Sequence, residues 1–264
     1  LTQVPAYVVA SWNGRLHSRG SLEGFKQLGS KDKWLRIHDG WEWPDYYASE
    51  NVEDLRQFFD HFLKGVDNGW EKTPRVRIAL MDQPTDQPSA SYRSENEWPL
   101  ARTRHERFYL DAASGRMNAS PAASVSQVIY HATEGTASFD FTFGEDTELT
   151  GHMSLKLWVE ARGNSDIDLF VVAQKLGRDG KRAEFRVYGV NWVAEPARGF
   201  LRVSHRELDP ERSEAGQPWH THRREQLLAP GEIVPVDIEL WPMGCIWRAG
   251  ETTRILVAGH PILH

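Results

Sequence analysis

The sequence predicts a mixed α/β segment followed by an all-β region. Up to about residue 82, short apolar runs alternate with amphipathic stretches of helical period. Beyond residue 100, many short runs follow one another with turn residues between them and no helical period. Between the two lies a segment, 82–99, rich in Pro, Ser, Asp and Gln and without periodicity, which reads as a boundary.

Residues 4–11 (VPAYVVAS) form a continuous, β-branched apolar run, the pattern of a strand buried on both faces. Trp12-Asn13-Gly14 then signals a turn. Over 21–28, Leu22, Phe25 and Leu28 recur at helical spacing, with Ser18 or Ser21 as N-cap and Gly29 as terminator. Residues 33–38 are a second strand. A loop of aromatics follows it, with Trp41, Trp43, Tyr46 and Tyr47 around Pro44 and Asp45. Over 51–64, Val52, Leu55, Phe58, Phe59, Phe62 and Leu63 recur three and four apart, an amphipathic helix capped by Asn51 and closed by Gly65. Residues 75–81 (RVRIALM) alternate as a half-exposed strand. Strand, helix, strand, helix is the rhythm of a parallel sheet.

In the β region the predicted strands are 107–111, 126–131, 137–143, 154–160, 167–174, 185–190, 201–205, 233–240 and 253–257. Gly-Arg-Asp-Gly at 177–180 reads as a hairpin loop. Many short strands without helices point to a β-sandwich or jelly roll.

Composition narrows the function classes. A chain of 264 residues is one large domain or two ordinary ones, and 40% hydrophobic with 26% charged residues suits a packed core. The formal net charge of -6 argues against nucleic-acid binding. The single cysteine, Cys245, excludes an intrachain disulfide and a cysteine zinc cluster, and fits a reducing, cytoplasmic setting. No apolar run approaches the roughly 18 residues of a membrane span, and the first residues lack the features of a signal peptide. They open at once on a core strand, which suggests a piece of a longer protein.

His38, at the end of the second strand and followed by aromatic rings, has the position of a general base, or of an ordinary loop histidine. A serine hydrolase needs a histidine to take the nucleophile's proton and a carboxylate to hold that histidine. The turn at 12–14 precedes His38 by one helix and one strand, the right order for acid and then base. No G-x-S-x-G nucleophile elbow occurs. His220-x-His222 could be a metal pair, but a third ligand is not identifiable from the sequence, and no metal or other cofactor is expected. Asp166 and Asp168 could bind calcium or pair with an arginine. Trp158, Trp192, Trp241 and Trp247 could stack on sugars or pack in the core.

Several long blocks carry a resemblance. They are VPAYVVASW with SLEGF, KWLRIHDGWEWPDYY, EDLRQFFDHFLKG with NGWEKTPRVRIALMD, and LTGHMSLKLWVEARGNSDIDLFVVAQKLGRDG with GFLRVSHRELDPE, PGEIVPVDIELWP and RAGETTRILVAGH. Together they cover most of the chain. In them it resembles the C-terminal part of the cocaine esterase / NonD family of hydrolases, within the X-Pro dipeptidyl-peptidase superfamily.

The resemblance implies the C-terminal part of an α/β-hydrolase domain at 1–82, a linker at 83–99 and a jelly-roll β-sandwich at 100–264. It implies acyl transfer on small-molecule esters, amides or short X-Pro peptides, with the nucleophile serine upstream of this chain. His38 matches the base. Members often show Trp-Tyr-Asp after the first strand where this chain has Trp12-Asn13-Gly14. Asn13 then stands in place of the acid, and Asp45 or Asp39 is the alternative. Trp12, His17, Trp41 and Trp43 are the candidate substrate-binding residues. The chain alone is expected to be inactive and to need the upstream hydrolase segment to complete its fold, and a homo-oligomer is compatible with it. The alternative is a non-catalytic β-sandwich module for interaction or carbohydrate binding.

Overall fold

The computed structural model describes residues 3–14, 16–84, 92–190 and 192–262; of the expected linker, 85–91 lie outside these. The described chain is mostly β. In order it forms β1 (Ala6–Ser11), α1 (Ser18–Gln27), β2 (Lys33–His38), α2 (Glu42–Tyr47), α3 (Ser49–Lys64), β3 (Val76–Ile78) and β4 (Arg93–Glu95). Next come β5 (Tyr109–Asp111), β6 (Arg116–Asn118), β7 (Thr136–Thr142), β8 (Thr147–Glu160) and β9 (Asp168–Leu176). The last are β10 (Phe185–Arg186), β11 (Val193–Ala194), β12 (Ala197–Arg202), β13 (Ile233–Trp247) and β14 (Thr252–Ala258). The chain divides into two compact units. The first is Leu1–Thr103 with Glu184–Ala194 and Gly244–Ile246; the second is Arg104–Ala183 with Glu195–Met243 and Trp247–His264.

The first unit is built on a sheet of order β1-β2-β3-β4, in which β1, β2 and β3 are parallel and β4 is antiparallel to β3. Parallel neighbours need crossovers, which α1 and α3 supply. β2 is central and buried along nearly its whole length. Its alternate residues form two rows. Leu35 and Ile37 are fully buried on one face, and Trp34, Arg36 and His38 share the other. Trp34 joins Phe58 of α3 and Trp70 in an aromatic core, with Tyr7 and Phe62 packed against it.

Helix boundaries differ from expectation for identifiable reasons. α1 starts at Ser18, whose hydroxyl donates to the carbonyls of Ser11 and Gly14 instead of capping; His17 holds the cap position without a side-chain bond, and the helix closes at Leu28. α3 starts at Ser49, and Asn51 does not cap it: its amide donates to the Asp45 carbonyl at 2.7 Å. Gly65, at φ 68°, ends α3 as expected, in the left-handed conformation that glycine adopts without penalty. The α3 stripe is broader in sequence than the buried face, since Val52, Phe59 and Leu63 are exposed. The aromatic segment read as a loop is the helix α2; Pro44 lies in its first turn, where a missing N–H costs no helical bond.

The second unit contains a six-stranded sheet of order β12-β9-β14-β7-β6-β5 and the pair β13-β8. β14 is flanked antiparallel by β7 and β9, and β9 by β12. β13 alternates cleanly: Val234, Val236, Ile238 and Leu240 are buried between more exposed neighbours. At Gly199 of β12 the backbone of β13 comes so close that an added β-carbon would lie 2.1 Å from the Glu239 carbonyl oxygen. Lys175 and Glu251 form a buried ion pair at 2.8 Å. Asp168 is held by Arg202 through two hydrogen bonds of 2.8 and 2.9 Å, the arginine-paired reading of that acid.

The strand expected at 126–131 does not form; Val128 and Ile129 are exposed. Of 185–190 only the two residues of β10 are strand, paired with β11. β8 and β13 run well beyond their predicted ends, and β12 gives way at Val203–His205 to a 3-10 turn. No helix among the described residues is long and apolar enough to cross a membrane.

Candidate active site

β1 and β2 run in register from Ala6 opposite Lys33 to Ser11 opposite His38, so both strands end together. The carboxyl edge of parallel strands is where open α/β sheets bind ligands. The edge is tied by hydrogen bonds. Trp12 N–H donates to the His38 carbonyl at 2.8 Å, Ser11 Oγ to the Gly40 carbonyl at 2.7 Å, and Asn13 N–H to Ser11 Oγ at 3.1 Å.

His38 sits on the polar row of β2, two residues beyond Arg36 and therefore on the same face. Arg36 clasps Asp45 of α2 in a two-pronged ion pair, with Nη1–Oδ1 2.9 Å and Nη2–Oδ2 2.5 Å. Asp45 Oδ1 lies 3.5 Å from His38 Nδ1, an ion-pair distance but not a hydrogen bond. Arg36 also donates to the hydroxyls of Tyr92 (2.9 Å) and Tyr7 (3.2 Å). Tyr7 in turn donates to Asp54, which pairs with Arg77. A continuous polar network therefore runs from Asp54 to His38 under the α2–α3 side of the sheet.

The electrostatics follow from this burial. His38 is 2% exposed, and desolvation pushes its imidazole down to about 4; the Arg36 charge acts in the same direction and Asp45 opposes it. At neutral pH the ring is neutral. Arg36 is held firmly charged by Asp45 against the cost of its burial. Burial raises the Tyr7 phenol above its ordinary range, so it serves as a neutral donor and acceptor.

The other expected site residues separate into distinct roles. Asn13 does not orient His38: its amide donates to the Asp39 carbonyl, and its side-chain oxygen is buried without a hydrogen-bond partner. Asp45, the alternative acid, is the carboxylate beside the imidazole. Trp12 is a core residue rather than a pocket wall. It is buried, donates Nε1–H to the Ala79 carbonyl at 2.7 Å and lies against Gly244, where a β-carbon would come within 2.9 Å of the indole. Trp41 packs edge-to-face on Trp192 at 4.6 Å, and its N–H donates to the Tyr188 carbonyl. Trp43 is 63% exposed, and Tyr46 and Tyr47 are exposed as well, so these rings form no lid over His38. His17 is exposed at the start of α1.

Sequence reasoning missed three members: Arg36, the clasp itself, Tyr92 and Glu42. Tyr92 lies 56 residues beyond Arg36, and only the β3–β4 pairing brings it near. Glu42, the first residue of α2, carries a carboxylate oxygen 2.6 Å from the point where a side chain on Gly14 would begin. An acid directly after Trp41 gave no signal of that contact. Among the described residues no group of three or more His, Cys, Asp or Glu side chains is gathered as a metal site.

Parallel strands with polar groups at their carboxyl edge, in one chain with an antiparallel β unit, define the class: a strand-and-helix segment bearing a β-rich accessory domain. The chain belongs to the family described as the X-Pro dipeptidyl-peptidase C-terminal non-catalytic domain, whose model matches residues 68–264. His38 and Asp45 precede that match. Two solved structures of a CocE/NonD family hydrolase from Staphylococcus aureus are similar at 40% and 41% identity, with TM-scores of 0.93 and 0.94. Each covers 99% of this chain, which covers 47% and 48% of theirs. A Mycobacterium bovis protein named as a serine esterase is 23% identical over 84% of this chain and 37% of its own length. An α-amino acid ester hydrolase shares the fold at 13% identity and a TM-score of 0.61. The chain thus spans about half the length, or less, of the relatives it matches.

Proposed function

We propose that this chain is part of a serine hydrolase that cleaves esters, amides or X-Pro peptides by acyl transfer. In this reading, residues 1–82 are the last strands and helices of an α/β-hydrolase domain, 83–99 a linker and 100–264 a jelly roll. The nucleophile serine lies in a preceding segment, which pairs with the free edge of β1. His38 is the base and Asp45 the carboxylate that stabilises its imidazolium. Substrates are small esters, amides or short peptides, and the setting is cytoplasmic. The observation that carries the proposal is His38 at the carboxyl end of a parallel strand, 3.5 Å from a carboxylate that Arg36 holds in place.

A second reading is favoured by the burial of His38 and by the uncharged Asn13: a β-sandwich module for interaction or carbohydrate binding with no chemistry at this edge. His38→Ala in the protein carrying its upstream segment separates the two. The expected result is a loss of p-nitrophenyl ester turnover of about 10²–10⁴-fold, the usual contribution of a general base. Unchanged turnover removes His38 from the reaction. The chain by itself is expected to show no turnover.

A further inference from the structure

The His220-x-His222 pair had no further ligand identifiable in sequence, and the fold brings His205 against His222. Segments 205–209 and 219–222 lie antiparallel. Leu208 bridges His220, Asp209 N–H donates to the Trp219 carbonyl at 2.7 Å, and Thr221 N–H donates to the Glu207 carbonyl at 2.9 Å. The Thr221 hydroxyl also donates to Glu207 Oε2 at 2.7 Å. On the far side, Gln226 N–H donates to the Ser204 carbonyl at 2.8 Å. The backbone is thus fastened on both sides of His205 and His222.

Between these ties the two imidazoles face each other, Nδ1 to Nδ1, at 3.3 Å. The ring of His220 stands 5.9 Å from that of His222. His222 has φ 51°, a left-handed conformation in which histidine, like asparagine and aspartate, is enriched. As a hydrogen bond, 3.3 Å between two ring nitrogens is long. As the edge of a tetrahedral site it fits: two ligand nitrogens at about 2.0–2.1 Å from one metal ion lie roughly 3.3–3.4 Å apart.

We propose that His205 and His222 form a two-ligand site, through Nδ1 of each, for a borderline divalent cation of the zinc, nickel and copper class. Both imidazoles bind as neutral ligands, and water fills the remaining positions. Among the described residues no third His, Cys, Asp or Glu side chain joins them, so the site is weak and exchangeable rather than structural. Two nearby cations are engaged with other groups: Arg224 pairs with Glu207, and Arg206 donates to the carbonyls of Val203 and Gln226. Imidazole ligands with these neighbours select borderline metals over magnesium or calcium. The proposal is independent of the hydrolase reading and concerns a different part of the chain.

The test is calorimetric titration of the chelator-treated protein, carrying its upstream segment, with Zn²⁺ and with Ni²⁺ at pH 7.5. One equivalent is expected to bind, and a chelator is expected to reverse the binding. His205→Ala and His222→Asn should each abolish it; asparagine at 222 tolerates the left-handed backbone and preserves the fold. His220→Ala should leave it in place. Absence of binding by the parent chain, or an unchanged isotherm in His205→Ala with unaltered circular dichroism, overturns the proposal.

Discussion

Glu42 Oε1 lies 2.6 Å from the point where a β-carbon on Gly14 would sit, and Ser18 Oγ lies 3.1 Å from it. The glycine is explained by its neighbours: the carboxylate of α2 uses the space that any side chain at 14 would need. Position 14 therefore tolerates little, and least of all a second acid.

Gly14→Asp is expected to destabilise the fold through both crowding and like-charge repulsion, and Gly14→Asp with Glu42→Gln to recover part of the loss. Urea unfolding of the two single variants and the double variant at pH 7 measures the coupling.

The buried His38 predicts a pH dependence with a definite sign. Its folded pKa of about 4 lies below its ordinary value of 6.5, so the unfolded chain binds more protons between the two. Stability from this residue is complete above pH 6.5 and is lost as pH falls towards 4. The amount is about 3 kcal/mol at 1.36 kcal/mol per unit. His38→Gln should flatten that part of a stability–pH profile measured by urea denaturation.

Arg36 neutralises the buried Asp45 carboxylate in a two-pronged ion pair. Arg36→Met should cost about 3–5 kcal/mol, because Asp45 is left buried and charged. Arg36→Met with Asp45→Leu should be less destabilised than the single variant. Denaturant midpoints of the two variants decide the point.

Gly199 makes the sharpest packing prediction in the second unit. A methyl group there would meet backbone rather than a flexible side chain, so Gly199→Ala should destabilise by about 3 kcal/mol. A drop in melting temperature checks this. Gly20→Ala is the control, because nothing lies within 4 Å of its added carbon.

What could be read from the sequence divides along physical lines. Local signals carried the strand 33–38 and the helix over 51–64, because a short buried run and a repeating apolar stripe are written in neighbouring residues. The α2 helix was lost because Pro44 reads as a breaker, although a helix accepts proline in its first turn. The run at 126–131 looked like a strand, yet no partner strand takes it up, and pairing is a non-local property. His38 and Asp45 were visible as candidates because they share one short stretch. Arg36 as their clasp, Tyr92 and Glu42 were not, since each depends on which face of β2 or which neighbouring strand the chain brings round. His205 illustrates the same limit: it lies 17 positions before His222, and only the antiparallel pairing of 205–209 with 219–222 brings the two together.

The two-row arrangement of β2 has an evolutionary consequence. Every second side chain turns to the opposite side, so one residue inserted or deleted ahead of Arg36 would send the guanidinium and the imidazole into the hydrocarbon layer and bring Leu35 and Ile37 against Asp45. Length variation among descendants of this gene should therefore fall outside 33–38, while point changes within it remain open.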